Sequence, residues 1–132
     1  MQPIILADIP FRIDMARLRA ATHVQIDAPL HDELARLAEG GEALARPKAL
    51  YRVARIDERD DDGVSIEGIR LTSRVLRVNL AEVRRIFLYL ATCGRELDDW
   101  AHSLDDLLHQ FWAEQIKIMA LAKATEAVFQ AI

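Results

Sequence analysis

Three features of this 132-residue sequence predict an α+β fold, with a small, mainly antiparallel sheet covered by helices and a long C-terminal helix. A hairpin pattern runs from Ala49 to Ile69. A capped helix, an apolar strand and a sharp turn follow one another between Leu71 and Asp99. Apolar residues at three- and four-residue steps then fill the segment from Ser103 to Ile132. The length suits one domain with one core, and 52% hydrophobic with 29% charged residues fits a globular chain rather than a disordered tail.

In chain order, Ile4 to Leu6 and Ile9 to Ile13 read as an extended opening at a sheet edge, interrupted by Pro10, which cannot donate to a ladder. Asp14 caps a helix over Met15 to Thr22. Asp27 is a second cap candidate, with Pro29 near the first turn, where its missing N–H costs nothing. Leu30, Leu34, Leu37 and Ala38 keep helical spacing until Gly40-Gly41, which is expected to end or kink the helix. Leu50, Tyr51, Val53 and Ile56 favour a strand. The Asp60-Asp61-Asp62-Gly63 turn reverses it into Val64, Ile66 and Ile69. Thr72 or Ser73 caps a short helix to Val78. The continuous run Ile86 to Ala91, closed by Thr92, Cys93 and Gly94, suits a strand covered on both faces, and an acidic helical turn follows from Arg95 to Trp100.

The final element is the longest. Ser103 with Asp106 three residues on resembles a capping box. Leu104, Leu108, Phe111, Trp112, Met119, Ala122 and Phe129 then recur at helical steps and are expected to form the core stripe. Leu121 and Val128 fall outside that stripe, with Ile132, as a second apolar patch. Such a patch needs another layer or another chain, and a homodimer through this helix is one expectation.

Charge and composition exclude several classes. The net charge is −4 and the arginines are scattered, so no basic face points to nucleic acid. No apolar run approaches the roughly 20 residues of a membrane span. The single Cys93 forms no intrachain disulfide, and no signal segment opens the chain, so the expected compartment is the cytoplasm. His23, His31, His102 and His109 show neither an i, i+4 pair nor a Cys/His spacing, so no metal site is expected.

No nucleophile with its base and no phosphate loop can be read, so the catalytic set is empty. The motifs do carry a family resemblance. Pro47-Lys48-Ala49-Leu50-Tyr51-Arg52, Ser73 with Leu76, Ala91-Thr92-Cys93-Gly94-Arg95-Glu96-Leu97-Asp98, and Ala120 to Phe129 with Glu126 resemble, in that order, the activation domain of cobalamin-dependent methionine synthase and its short stand-alone relatives. The resemblance runs from Ile9 to the end and matches the N-terminal half of that domain. Family members also carry an Arg and a Gly-Tyr pair that hold S-adenosylmethionine, and this sequence has no such motif. The resemblance therefore implies an accessory domain in corrinoid-dependent methyl transfer, more a non-enzyme than an enzyme on its own. It would dock on a corrinoid protein or methyltransferase, with cobalamin held by that partner and no complete S-adenosylmethionine site. A self-associating structural module without catalytic role is the alternative. An enzyme that binds S-adenosylmethionine through an unfamiliar site is the third reading.

Six residues are the structural or interaction candidates: Glu126, Asp98, Thr92, Gly94, Leu121 and Val128. Glu126 falls within the expected stripe, one step from Ala122 and Phe129. A carboxylate in apolar surroundings needs a partner, either an arginine or the N–H groups of the Thr92 to Arg95 turn; the other reading is a frayed helix end where it meets solvent. Resemblance makes Glu126 a structural carboxylate and places Asp98 on a family motif. Asp99, Asp105 and Asp106 read as solvated residues near helix N-termini. Cys93 lacks a base at fixed spacing and reads as a small buried side chain. Trp100, Phe111 and Trp112 read as core rather than as a stacking platform for a ligand.

Overall fold

A computed structural model describes residues 2–132, and the order of its elements is mixed α+β. Among the described residues these are β1 (Ile4–Leu6), α1 (Met15–Thr22), α2 (His31–Leu44), β2 (Lys48–Arg59), β3 (Gly63–Ile66) and β4 (Ile69–Thr72). They continue with α3 (Arg74–Asn79), β5 (Arg85–Thr92), α4 (Arg95–His102) and the long C-terminal α5 (Leu107–Ala131). The antiparallel sheet has the order β1-β2-β3-β4, with β5 also paired to β2. The chain divides into two compact units. One holds Leu50–Leu90 with the chain up to Ile4, and the other holds Ile5–Ala49 with Ala91–Ile132.

The first unit is built on the β2-β3-β4 meander. Asp60 shapes the first turn: its Oδ1 accepts from the N–H groups of Asp62 at 2.9 Å and Gly63 at 3.0 Å. The Arg70 guanidinium closes on the same carboxylate and holds it down to a pKa of about 2. Gly63 is required at the turn's end because a Cβ there would stand 2.1 Å from the Leu71 carbonyl oxygen across the ladder. A second turn interrupts the expected strand. Glu67 and Gly68 take φ of 49° and 84°, the two positive values of a two-residue hairpin, and split the expected Val64–Ile69 strand into β3 and β4 in the register Val64↔Leu71 and Ile66↔Ile69. Ser73 caps α3 as expected, accepting from the Leu76 N–H at 3.2 Å. Ala54, Ile56, Val64 and Ile66 form the core here, with Leu76, Leu80, Val83 and Ile86 packed on it.

The expectation of a strand covered on both faces is overturned for β5. Phe87, Leu88, Tyr89 and Leu90 are 36–69% exposed, and of this run only Ile86 joins the unit's core. The physical reason is the lack of cover in this unit: its one helix, the six-residue α3, packs on β3.

The second unit is helical. Asp14 caps α1 as expected, through the N–H groups of Ala16 and Arg17. Asp27 is not the cap of α2: the helix starts at His31 after Leu30, which makes no side-chain cap bond. Gly40-Gly41 does not break α2 either. The helix continues to Leu44, and a Cβ on Gly41 would press to 3.1 Å from the Trp100 ring, so the glycine is there for the close approach of α4. The core joins Leu18, Leu34, Ala38, Leu97, Trp112, Ile116 and Ala120.

Two expectations about α5 are corrected. Its cap is Asp106, which accepts from the N–H groups of Leu108 and His109, while Ser103 closes α4 and donates to the Trp100 carbonyl. Its buried stripe is Trp112, Ile116, Ala120, Ala124 and Val128, a strict four-residue ridge with Ala113 beside it. Phe111, Ala122 and Phe129, expected in the core, are exposed. Small alanines at the ridge bring α5 close to its neighbours, whereas bulk alone would have put Phe111 and Phe129 inside. That one-face shift moves Glu126 outward and Val128 inward.

Candidate functional site

The Thr92–Asp98 segment is where the expected motifs converge. Thr92 Oγ1 accepts from the Gly94 N–H at 3.1 Å, a local turn bond that ends β5. Gly94 has φ 98° and ψ 142°, a conformation open to glycine, and a Cβ there would lie 2.8–3.0 Å from Arg46 O, Cβ and N. The close approach is fixed by a backbone bond, Arg46 N–H to the Cys93 carbonyl at 3.1 Å. Thus Thr92 and Gly94 are brought together with Arg46, which sequence reasoning missed. Its signal was its place immediately before the Pro47-Lys48 motif.

From this turn α4 runs into the unit, with Leu97 fully buried and Asp98 half-buried. Asp98 Oδ1 meets Lys117 Nζ of α5 at 2.6 Å and His102 Nδ1 at 3.5 Å, and Lys117 also reaches Glu114 Oε1 at 3.2 Å. The Lys117 ammonium holds the Asp98 carboxyl below its ordinary range, and Asp98 raises Lys117 in turn. Lys117 is the second residue that sequence reasoning missed, since only the fold brings it from α5 to α4.

Cys93 is partly buried. Burial pushes its thiol pKa up while Lys117 pulls against the shift, which favours the protonated thiol. The turn is therefore a close-packed elbow between Arg46 and the start of α4.

The other candidates lie apart from it. The Glu126 side chain is 53% exposed, 3.8 Å from Lys123 Nζ, and accepts from Gln130 Nε2 at 3.1 Å; among the described residues no hydrogen bond or ion pair joins it to the elbow or to an arginine. Its solvated reading is the one the structure supports. Leu121 is 42% exposed, as expected of the second patch, but Val128 is fully buried and belongs to the core. Asp99 pairs with Arg95, and Asp106 is a cap. Among the described residues no three His, Cys, Asp or Glu side chains gather as a metal site, and no helix is long and apolar enough to cross a membrane. A cleft of about 500 Å³ lies between the segment 10–17 and α5, and its apolar lining includes Phe11, Ile118 and Met119. The lining also carries Arg12, Arg17 and Lys123 together with Asp14 and Glu126, a mixture that selects no ligand charge.

No protein-family model matches the chain, and a search of curated proteins finds no match.

Proposed function

We propose that this chain is an accessory domain in corrinoid-dependent methyl transfer, which docks on a cobalamin-carrying protein and has no complete S-adenosylmethionine site of its own. The observation that carries the docking is β5. Its apolar run Phe87 to Leu90 is exposed, in a strand whose hydrogen-bonded neighbour is β2. Such a strand offers apolar side-chain area, at Phe87, Leu88 and Leu90, to a partner. The corrinoid assignment rests on the motif resemblance, and it is supported by the way Thr92, Gly94 and Asp98 serve one local structure at the end of that strand. Cobalamin and the methyl-transfer chemistry belong to the partner. The proposed compartment is the cytoplasm, where the partly buried Cys93 stays a thiol.

The test is a titration of the whole chain against a purified corrinoid protein loaded with methylcobalamin, followed by calorimetry. Saturable binding that is lost in Leu90→Glu, with unchanged circular dichroism, is the expected result. Absence of binding, or binding that Leu90→Glu leaves intact, contradicts the proposal.

A further inference from the structure

On the sheet of the first unit two arginines stand opposite each other. The Ile56 N–H donates to the Arg84 carbonyl at 3.0 Å, and in the antiparallel pairing of β2 with β5 this bond sets Ile56 opposite Arg84. The next pair along the ladder is Arg55 with Arg85. Side chains alternate across a strand, so these two leave the sheet on the side away from Ala54, Ile56 and Ile86, which belong to the unit's core. Their burial agrees: Arg55 and Arg85 are exposed, and so is Phe87, the next residue of β5 on that side. Arg84, Leu88 and Leu90 alternate to the other face.

Like charges directly opposite on a sheet repel and cost stability. Other arginines of this unit have partners: Arg52 is paired with Glu67, Arg70 with Asp60 and Arg74 with Asp62, and Arg59 donates to the carbonyl groups of Leu80 and Val83. Among the described residues neither the Arg55 nor the Arg85 guanidinium has a hydrogen bond or an ion pair. The acids nearest in the ladder are engaged, Glu67 by Arg52 and Asp57 by the Gly68 N–H at 2.9 Å. Two unpaired guanidiniums on strands about 5 Å apart match one phosphate monoester, which carries about −1.5 to −2 charge near neutral pH and oxygens that suit the arginine fork. The Phe87 ring, about 7 Å further along β5, lies where a planar base carried by that phosphate can stack.

We infer that Arg55, Arg85 and Phe87 form a binding site for a nucleoside monophosphate, with the phosphate between the two guanidiniums and the base on the Phe87 ring. The inference uses neither Leu88 nor Leu90 and does not depend on the docking of β5 on a corrinoid protein.

Nuclear magnetic resonance of the full chain titrated with adenosine monophosphate tests it. Saturable shifts centred on the amides of 53–57 and 84–88 are expected, with inorganic phosphate moving the same amides at higher concentration. Arg55→Gln and Arg85→Gln should each weaken the binding about tenfold or more, the loss of a charge-assisted hydrogen bond. Phe87→Leu should weaken adenosine monophosphate and leave inorganic phosphate unchanged. All three side chains are exposed, so circular dichroism should stay that of the wild type. Leu90→Glu, the change that tests docking, should bind the nucleotide normally, which keeps the two readings apart. Without ligand, Arg85→Gln should not lower the urea midpoint, because it relieves a repulsion; a lowered midpoint would show that Arg85 already has a partner and overturn the site. No saturable shift up to about 10 mM nucleotide, or binding that both arginine changes leave intact, also overturns it. Much tighter binding of a single-stranded oligonucleotide than of the monophosphate would overturn the small-molecule assignment in favour of nucleic acid.

Discussion

A methyl group at Gly94 would meet three atoms of Arg46 within 3.0 Å, two of them backbone, and would also have to adopt a positive φ. Gly94→Ala is therefore expected to lower stability by about 2 kcal/mol or more in urea melts, in the range known for strained backbone; a near-wild-type midpoint would show that the elbow can relax. Glu126 lies at the other extreme. Its carboxylate is solvated, so Glu126→Ala and Glu126→Gln should each stay within about 0.5 kcal/mol of wild type, and a large loss for either would put the carboxylate back in the core. For Asp98 the expectation concerns pH. The folded-state pKa is the depressed one, so the Lys117 pair stabilises the fold above the ordinary carboxylate value of 3.8, and this contribution is lost as pH falls below it through the folded value. The urea midpoint of the wild type should fall more steeply below about pH 4 than that of Lys117→Met. Parallel curves would mean that the pair adds nothing. Residues that act through their immediate neighbours were legible in the sequence: Asp14 and Ser73 cap within three residues, and Asp60 binds its own turn. Arg46 and Lys117 were not, because their partners are distant along the chain.

Elements were legible to the degree that their surroundings were not needed. The α5 helix was recognised, but its buried face was misread, since apolar residues occur on both sides and only the alanine ridge decides which side packs. The β5 strand was placed correctly and its cover was not, because an apolar run shows a strand without showing what lies over it. The turn between β3 and β4 escaped because Glu67-Gly68 lacks the Asn-Gly or Asp-Gly signature, although Gly68 supplies one of its two positive φ values. The β3–β4 ladder makes a sharp prediction of its own. Gly63→Ala puts a carbon against the Leu71 carbonyl and must open the pairing at Thr72, so a loss of about 2 kcal/mol or more is expected. Amide exchange that rises first in β3 and β4 would locate the damage; protection equal to wild type would contradict it.

For the molecule as a whole, the proposal is a docking protein whose chemistry is supplied by another chain. One consequence of that proposal concerns S-adenosylmethionine, for which it expects no complete site. Calorimetric titration should give no micromolar binding, that is, nothing near −8 kcal/mol; a saturable heat of that strength would revive the enzyme reading. The central claim is that β5 meets a corrinoid protein, and the most direct measurement is hydrogen exchange of the full chain with and without a methylcobalamin-loaded corrinoid protein. The expected result is slowed exchange over Arg85–Thr92 in the mixture, with α1 and α2 unchanged. Exchange over Arg85–Thr92 that is the same with and without a saturating corrinoid protein would contradict the proposal.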